Sequence, residues 1–174
     1  MSIIFVTGGA RSGKSTFALE QAKATNEPVT FIATAQAFDE EMTERIARHQ
    51  LERRSVENPN EWVTIEAPTD IRTALENAKT KVVILDCLSL LVSNLMLENY
   101  AESEILERIG KMLEIAKTTD KMLVVVSNEI GSGVVPEYPL GRLFRDVLGR
   151  ANQMVAASSN EAYLLVAGLA LRLK

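Results

Sequence analysis

Residues 5–17 read FVTGGARSGKSTF, an apolar run that breaks into glycine and resumes as a helical pattern. Within it, Gly8, four intervening residues and Gly13-Lys14-Ser15 satisfy the phosphate-loop pattern G-x-x-x-x-G-K-[ST]. The glycines let the main chain turn so that successive N–H groups face inward on phosphate oxygens, with a helix N-terminus behind them. Lys14 then supplies a point charge to the phosphates, and the Ser15 hydroxyl a ligand for Mg²⁺. Gly8, Gly9, Ala10, Arg11, Ser12, Gly13, Lys14 and Ser15 are therefore the first candidate nucleotide contacts. The alternative, a glycine turn with a chance Lys-Ser, does not explain why two adjacent glycines stand where an apolar strand meets a helix.

Working outward from the loop, IIFVT (3–7) reads as a buried strand and the segment from Lys14 to about Ala24 as a helix with Phe17, Ala18 and Ala22 available to the core. PVTFIAT (28–34), KVVILD (81–86) and KMLVVVSNE (121–129) are further apolar, β-branched strands. Between them lie a helix from Asp39 to about Arg54, a short strand at Trp62–Ile65 and a helix opened by Thr69. A mostly apolar stretch, Leu88–Leu97, precedes an amphipathic helix carrying Ile105, Ile109 and Met112. GSGVVPEYP is a loop by composition, and Leu140 to about Ser158 is helical again. AYLLVAG and LALRLK close the chain as two strands, the last apolar segment reading as buried. Strands apolar on both faces, alternating with amphipathic helices, define an α/β fold with a mostly parallel sheet flanked by helices on both sides. Residues 1–174 read as one nucleotide-binding domain.

The bulk properties exclude several partners. A formal net charge of −4 gives no basic field for nucleic acid. No apolar run is long enough to span a bilayer. The single cysteine, Cys87, rules out an internal disulfide framework and fits a reducing cytoplasm.

In a parallel sheet the ligand lies beyond the carboxyl ends of the strands. Besides the loop, Thr34-Ala35, Asp86 and Ser127-Asn128-Glu129 stand at such ends. Asp86 is the natural partner for the metal, with a helix-capping role as the alternative. Cys87 beside it reads as a packing residue, since nothing in the sequence would lower its pKa. The only histidine, His49, shares the stripe of Met42 and Ile46. Its spacing favours a half-buried, hydrogen-bonded imidazole. A neutral imidazole is also able to attack an electrophilic phosphorus and carry a nucleotidyl group. On the last long helix, an Arg142–Asp146 pair at i, i+4 is favoured over an arginine reaching a neighbour's phosphates.

Taken together, TGGARSGKS (7–15), ATA (33–35), EM-x-x-RI-x-x-H (41–49), W-x-T-x-E-x-P (62–68), DCLSLLVSNL (86–95), VSNEIGSGVVP (126–136), FRDVLGRANQ (144–153) and GLALRLK at the C-terminus resemble one family nearly end to end. It is the bifunctional adenosylcobinamide kinase / adenosylcobinamide-phosphate guanylyltransferase family of cobalamin synthesis. The resemblance implies a RecA-like P-loop NTPase fold and a homo-oligomer, a trimer. It implies use of ATP or GTP with Mg²⁺ to phosphorylate adenosylcobinamide, then transfer of GMP from GTP to adenosylcobinamide-phosphate. It makes His49 the guanylylated residue, and it adds Ala33, Thr34, Ala35, Gln50, Leu51, Glu52, Arg53, Glu66 and Asp86 to the nucleotide contacts. The sequence departs from the family pattern between His49 and Trp62, where RSVEN (54–58) is extra, and at Ser89 and Leu91. A phosphate-loop kinase of another small metabolite would need Lys14, Ser15 and Asp86 but not His49. A nucleotide-gated switch or motor would form no covalent nucleotide.

Overall fold

The computed structural model of the chain describes residues 2–36 and 62–174. Seven strands, β1 (Ser2–Gly8), β2 (Val29–Ala33), β3 (Trp62–Glu66), β4 (Val82–Asp86), β5 (Met122–Asn128), β6 (Glu161–Val166) and β7 (Leu169–Arg172), form one sheet in the order β3-β2-β4-β5-β1-β6-β7. The first six are parallel, and β7 runs antiparallel to β6. The helices are α1 (Lys14–Lys23), α2 (Ile71–Asn77), α3 (Leu88–Leu97), α4 (Glu102–Thr118) and α5 (Pro139–Ser158). The helix expected over Asp39–Arg54, and with it His49, Gln50, Leu51, Glu52 and Arg53, lies outside the described residues.

Alternation along the strands divides the core into two layers. Ile4 and Val6 of β1, Val82 and Ile84 of β4, and Val124 and Val126 of β5 pack with Ala18 and Ala22 of α1. On the opposite face Ile3 and Phe5, Val83 and Leu85, and Leu123 and Val125 meet side chains of α2 through α5. Small residues at Ala18 and Ala22 bring α1 close to the sheet, which matters because α1 carries the start of the site. On the other face, α4 has an apolar stripe of Ile105, Ile109, Met112, Leu113 and Ala116, the 3.6-residue period expected of it.

The segment Leu88–Leu97 is a helix. Leu88, Leu91, Val92 and Leu95 are buried, and so are the polar Ser89 and Asn94. A helix enclosed on nearly every side carries no amphipathic signal, which is why its type is hard to read from the sequence. The last strand departs from expectation. All four residues of β7 are exposed, with Leu169 at 76% and Leu171 at 58%, because β7 is an edge strand beyond the cover of α1 and α5. At the head of α5, Leu140 and Leu143 also stay exposed, and the helix becomes buried from Val147 onward. No helix among the described residues is long and apolar enough to cross a membrane.

The start of α2 is one residue later than expected. Asp70 is the N-cap, its carboxylate accepting from the Thr73 N–H at 3.1 Å, and Thr73, through its hydroxyl first and this N–H second, holds the Asp70 carboxyl below its usual pKa. A depressed pKa makes the contribution present above the ordinary carboxylate value and lost as pH falls through the folded-state value. Asp70→Ala is expected to cost about 1 kcal/mol at pH 7. Urea unfolding of the two proteins should show that gap narrowing as the pH is lowered below 3.8.

Candidate nucleotide site

β1 lies between β5 and β6 and delivers Gly8 to the carboxyl edge of the sheet, opposite Asn128 on one side and Leu165 on the other. The approach there is too close for a side chain. A Cβ on Gly8 would sit 2.4 Å from the Leu165 carbonyl oxygen and 2.8 Å from Ser12 Oγ. The chain then turns through Gly9, Ala10 and Arg11, all exposed, with Arg11 at a φ of 56°. Ser12 N–H donates to the Gly9 carbonyl at 3.3 Å, and Gly13, at a left-handed φ of 95°, forms the N-cap of α1. No side chain caps α1. A helix start without a side-chain cap is suited to an anion in front of it.

Lys14 folds back over the loop. It is only 8% exposed, and its Nζ donates to the Gly9 carbonyl at 2.6 Å, with Ser12 Oγ at 3.5 Å. Ser15, half-buried, follows on the first turn of α1. The loop residues expected from the sequence are therefore together, with the ammonium inside the ring of main chain that would surround a phosphate.

Asp86 ends β4, in register with Ala33 of β2 and Val126 of β5. It does not cap α3, whose N-cap is Cys87. What fixes the strand end is Thr34. Its hydroxyl is fully buried, accepts from the Cys87 N–H at 2.7 Å and donates to the Cys87 carbonyl at 2.8 Å, while its own N–H reaches the Asp86 carbonyl at 3.2 Å. Asn94 of α3 completes the lock, its amide donating to the carbonyls of Thr34 and Pro68 at 2.8 and 3.0 Å. Ala33 and Ala35 flank this lock, half-buried. The Cys87 thiol is pushed up to about 11, by burial first and by the neighbouring Asp86 second. It remains a neutral packing group near Ser89, as expected.

Among the described residues no three His, Cys, Asp or Glu side chains gather to hold a metal. A divalent ion would rest on Ser15 and Asp86, with phosphate oxygens supplying further ligands. That donor set suits Mg²⁺, which is commonly bound through one or two protein oxygens and substrate phosphates.

Glu66 is not brought to the loop. It ends β3, exposed, in register with Ala33. Four strand spacings separate β3 from β1, roughly 19 Å. The β5 exit is held by Asn152 of α5, which accepts from Ser127 Oγ at 2.6 Å and donates to the Asn128 carbonyl at 3.1 Å. Glu129 turns its carboxylate onto the Gly131 N–H at 2.7 Å. The expected Arg142–Asp146 pair does not form. Arg142 donates instead to the carbonyls of Pro136 and Glu137, tying the loop before α5 to its first turn, and Asp146 lies 3.4 Å from Arg145. Arg150 pairs with Glu102 of α4. Sequence reading missed one neighbour of the site altogether: Gly168, between β6 and β7, donates its N–H to the Ser12 carbonyl at 3.0 Å. A glycine between two apolar runs was a visible turn signal, but nothing in it pointed back along the chain to Ser12.

The sheet order, the loop between β1 and α1 and the carboxylate at the end of β4 define a RecA-like phosphate-loop protein. Two solved structures share the fold. The flagellar accessory protein FlaH of Methanocaldococcus jannaschii superposes with a TM-score of 0.55 at 17% identity, covering 99% of this chain and 78% of that one. The KaiC-like protein PH0186 of Pyrococcus horikoshii OT3 gives 0.52 at 16% identity, covering 94% and 70%. Within that class the sequence is more specific. Residues 4–173 match the family described as cobinamide kinase / cobinamide phosphate guanyltransferase, and the chain belongs to that family. It is 35% identical to the bifunctional adenosylcobalamin biosynthesis protein CobU of Escherichia coli K12 and 37% identical to that of Salmonella typhimurium LT2, each over 99% of both chains. It is also 37% identical to the protein CobP of Pseudomonas aeruginosa, over 97% of this chain and 95% of the other.

Two substitutions probe the site. Gly8→Ala must displace the Leu165 carbonyl or the β1 exit, and is expected to destabilise the protein by about 1–3 kcal/mol in urea unfolding. Lys14→Met keeps the aliphatic stem and removes the charge. It should retain the wild-type far-UV circular dichroism spectrum while weakening nucleoside triphosphate binding roughly 10- to 100-fold by calorimetry.

Proposed function

We propose that this chain catalyses both reactions named by its family. It phosphorylates the hydroxyl of the aminopropanol arm of adenosylcobinamide, and it then joins GMP to the resulting adenosylcobinamide-phosphate, giving adenosylcobinamide-GDP and pyrophosphate. The observation that carries this reading is the buried, loop-facing Lys14 in a chain that matches the family from end to end.

In the first reaction ATP or GTP is held by the main-chain N–H groups of Gly8–Ser15. Lys14 exchanges the Gly9 carbonyl for phosphate oxygens and offsets charge building on the γ-phosphoryl group as the substrate hydroxyl attacks in line. Ser15 and Asp86 would hold Mg²⁺, which would supply charge neutralisation at the phosphates. Thr34 and Asn94 keep Asp86 in place for that task. In the second reaction the neutral imidazole of His49 attacks the α-phosphorus of GTP. A P–N bond forms, the P–O bond to pyrophosphate breaks, and the imidazole proton is released. The phosphate of adenosylcobinamide-phosphate then displaces histidine, forming the new P–O–P link. Ala33, Thr34, Ala35, Gln50, Leu51, Glu52, Arg53 and Glu66 complete the nucleotide contacts. Glu66, so far from the loop, fits a nucleotide pose for the second reaction that differs from the pose for the first.

Residues 1–174 act as one catalytic domain, in the cytoplasm and as a homotrimer. Exposed apolar side chains on β7 and ahead of α5, among them Leu169 and Val134, support assembly. Intact-protein mass spectrometry after incubation with GTP and Mg²⁺ tests the central step. An acid-labile GMP adduct is expected on wild type and not on His49→Ala, which should keep its kinase turnover. Guanylyl transfer retained by His49→Ala would overturn the role of the histidine.

A further inference from the structure

The C-terminal hairpin reaches the phosphate loop at its tip. β6 and β7 are joined by Ala167 and Gly168, both left-handed at φ 52° and 83°, the two-residue turn whose twist matches that of paired strands. Gly168 N–H donates to the Ser12 carbonyl at 3.0 Å, and a Cβ on Gly13 would lie 3.3 Å from Gly168 Cα. A Cβ on Gly168 itself would meet nothing within 4 Å, so what this position requires is its backbone angle and not space. The Ser12–Gly13 peptide is planar and trans, so its carbonyl and its N–H point in opposite directions. Anchoring the carbonyl on the hairpin therefore aims the Gly13 N–H away from the hairpin.

We propose that Gly168 is a positioning residue of the nucleotide site, which it serves by holding the Ser12 carbonyl and so orienting the Gly13 N–H toward bound phosphate. The inference rests on reading the loop as the nucleotide site of the proposed function. It makes the last strand pair part of the binding apparatus although no side chain of the hairpin need touch the nucleotide. The loop's internal Ser12-to-Gly9 bond is long at 3.3 Å, and Gly13 has no Cβ to restrict it.

Backbone angle separates a positioning role from simple packing. Asparagine tolerates the left-handed region and keeps the N–H, whereas a β-branched residue does not settle there. Gly168→Asn, Gly168→Val and an insertion of two glycines between Ala167 and Gly168 should be compared with wild type, using GTP with Mg²⁺ as the probe in calorimetry and in kinase assays. The expected result is binding within about threefold of wild type for Gly168→Asn, and about tenfold weaker for Gly168→Val and for the insertion. KM should rise with kcat little changed, and the nucleotide-free thermal midpoint of the insertion variant should stay near that of wild type, because both strands of the hairpin remain paired. The insertion variant keeps the test open where Gly168→Val fails to fold. Wild-type affinity in a folded insertion variant would overturn the inference while leaving the nucleotide site intact. Absence of GTP and ATP binding by wild type would overturn the reading of the loop itself.

Discussion

The contact on which the rest depends is the near-collision of Gly8 with the Leu165 carbonyl. β1 is central in the sheet and buried on both faces from Ile3 to Val6, so its path is set by two layers of core packing. That rigidity carries the strand end into a gap that only a residue without a side chain fits. The chain has to leave the sheet there, and it leaves through glycines able to take the left-handed angles that close the loop. Lys14 enters the ring so formed because α1, drawn against the sheet by Ala18 and Ala22, begins immediately behind it.

A second constraint fixes the opposite wall. The Thr34 hydroxyl, Cys87 main chain and Asn94 amide form a buried polar network in which the hydroxyl and both amide contacts are used. A satisfied network of this kind contributes modestly to stability, but disrupting one member leaves the others unpaired in a low-dielectric interior, at about 1–3 kcal/mol each. It joins the ends of β2 and β4 and the body of α3, so Asp86 cannot drift relative to the loop. Asn152 does the same for the β5 exit between the two walls. Three short polar ties thus hold three strand ends, each made by a side chain that is itself largely buried.

These ties were the part of the site hardest to see in the sequence. The loop announced itself through its spacing, and Asp86 through its place at the end of VVILD, because both signals are local. The core strands were legible for the same reason: runs such as VVIL and LVVV have no polar face to mislead. Thr34 stood out as a strand-end residue, but its partner is 53 positions away, and threonine at a strand end carries no mark of which backbone it will bind. Asn152 and Gly168 are harder still, since their meaning exists only after α5 and the hairpin have docked. The burial of β7 was misread because an apolar run does not say whether it lies inside a sheet or at its edge. The Arg142–Asp146 pair was misread because helical spacing permits a contact without competing for it, and the carbonyls of Pro136 and Glu137 compete successfully.

The internal bond of Lys14 holds its ammonium against the loop. An ammonium at 8% exposure would be costly if left unpaired. Here the Gly9 carbonyl accepts from it. In the proposed function, phosphate would add charged acceptors for Lys14 and meet the start of α1. This arrangement suits an enzyme that must release one nucleotide product and accept another triphosphate between two successive reactions. A loop whose strand end is fixed at Gly8 and whose helix is held to the sheet by Ala18 and Ala22 need not be rebuilt at each exchange.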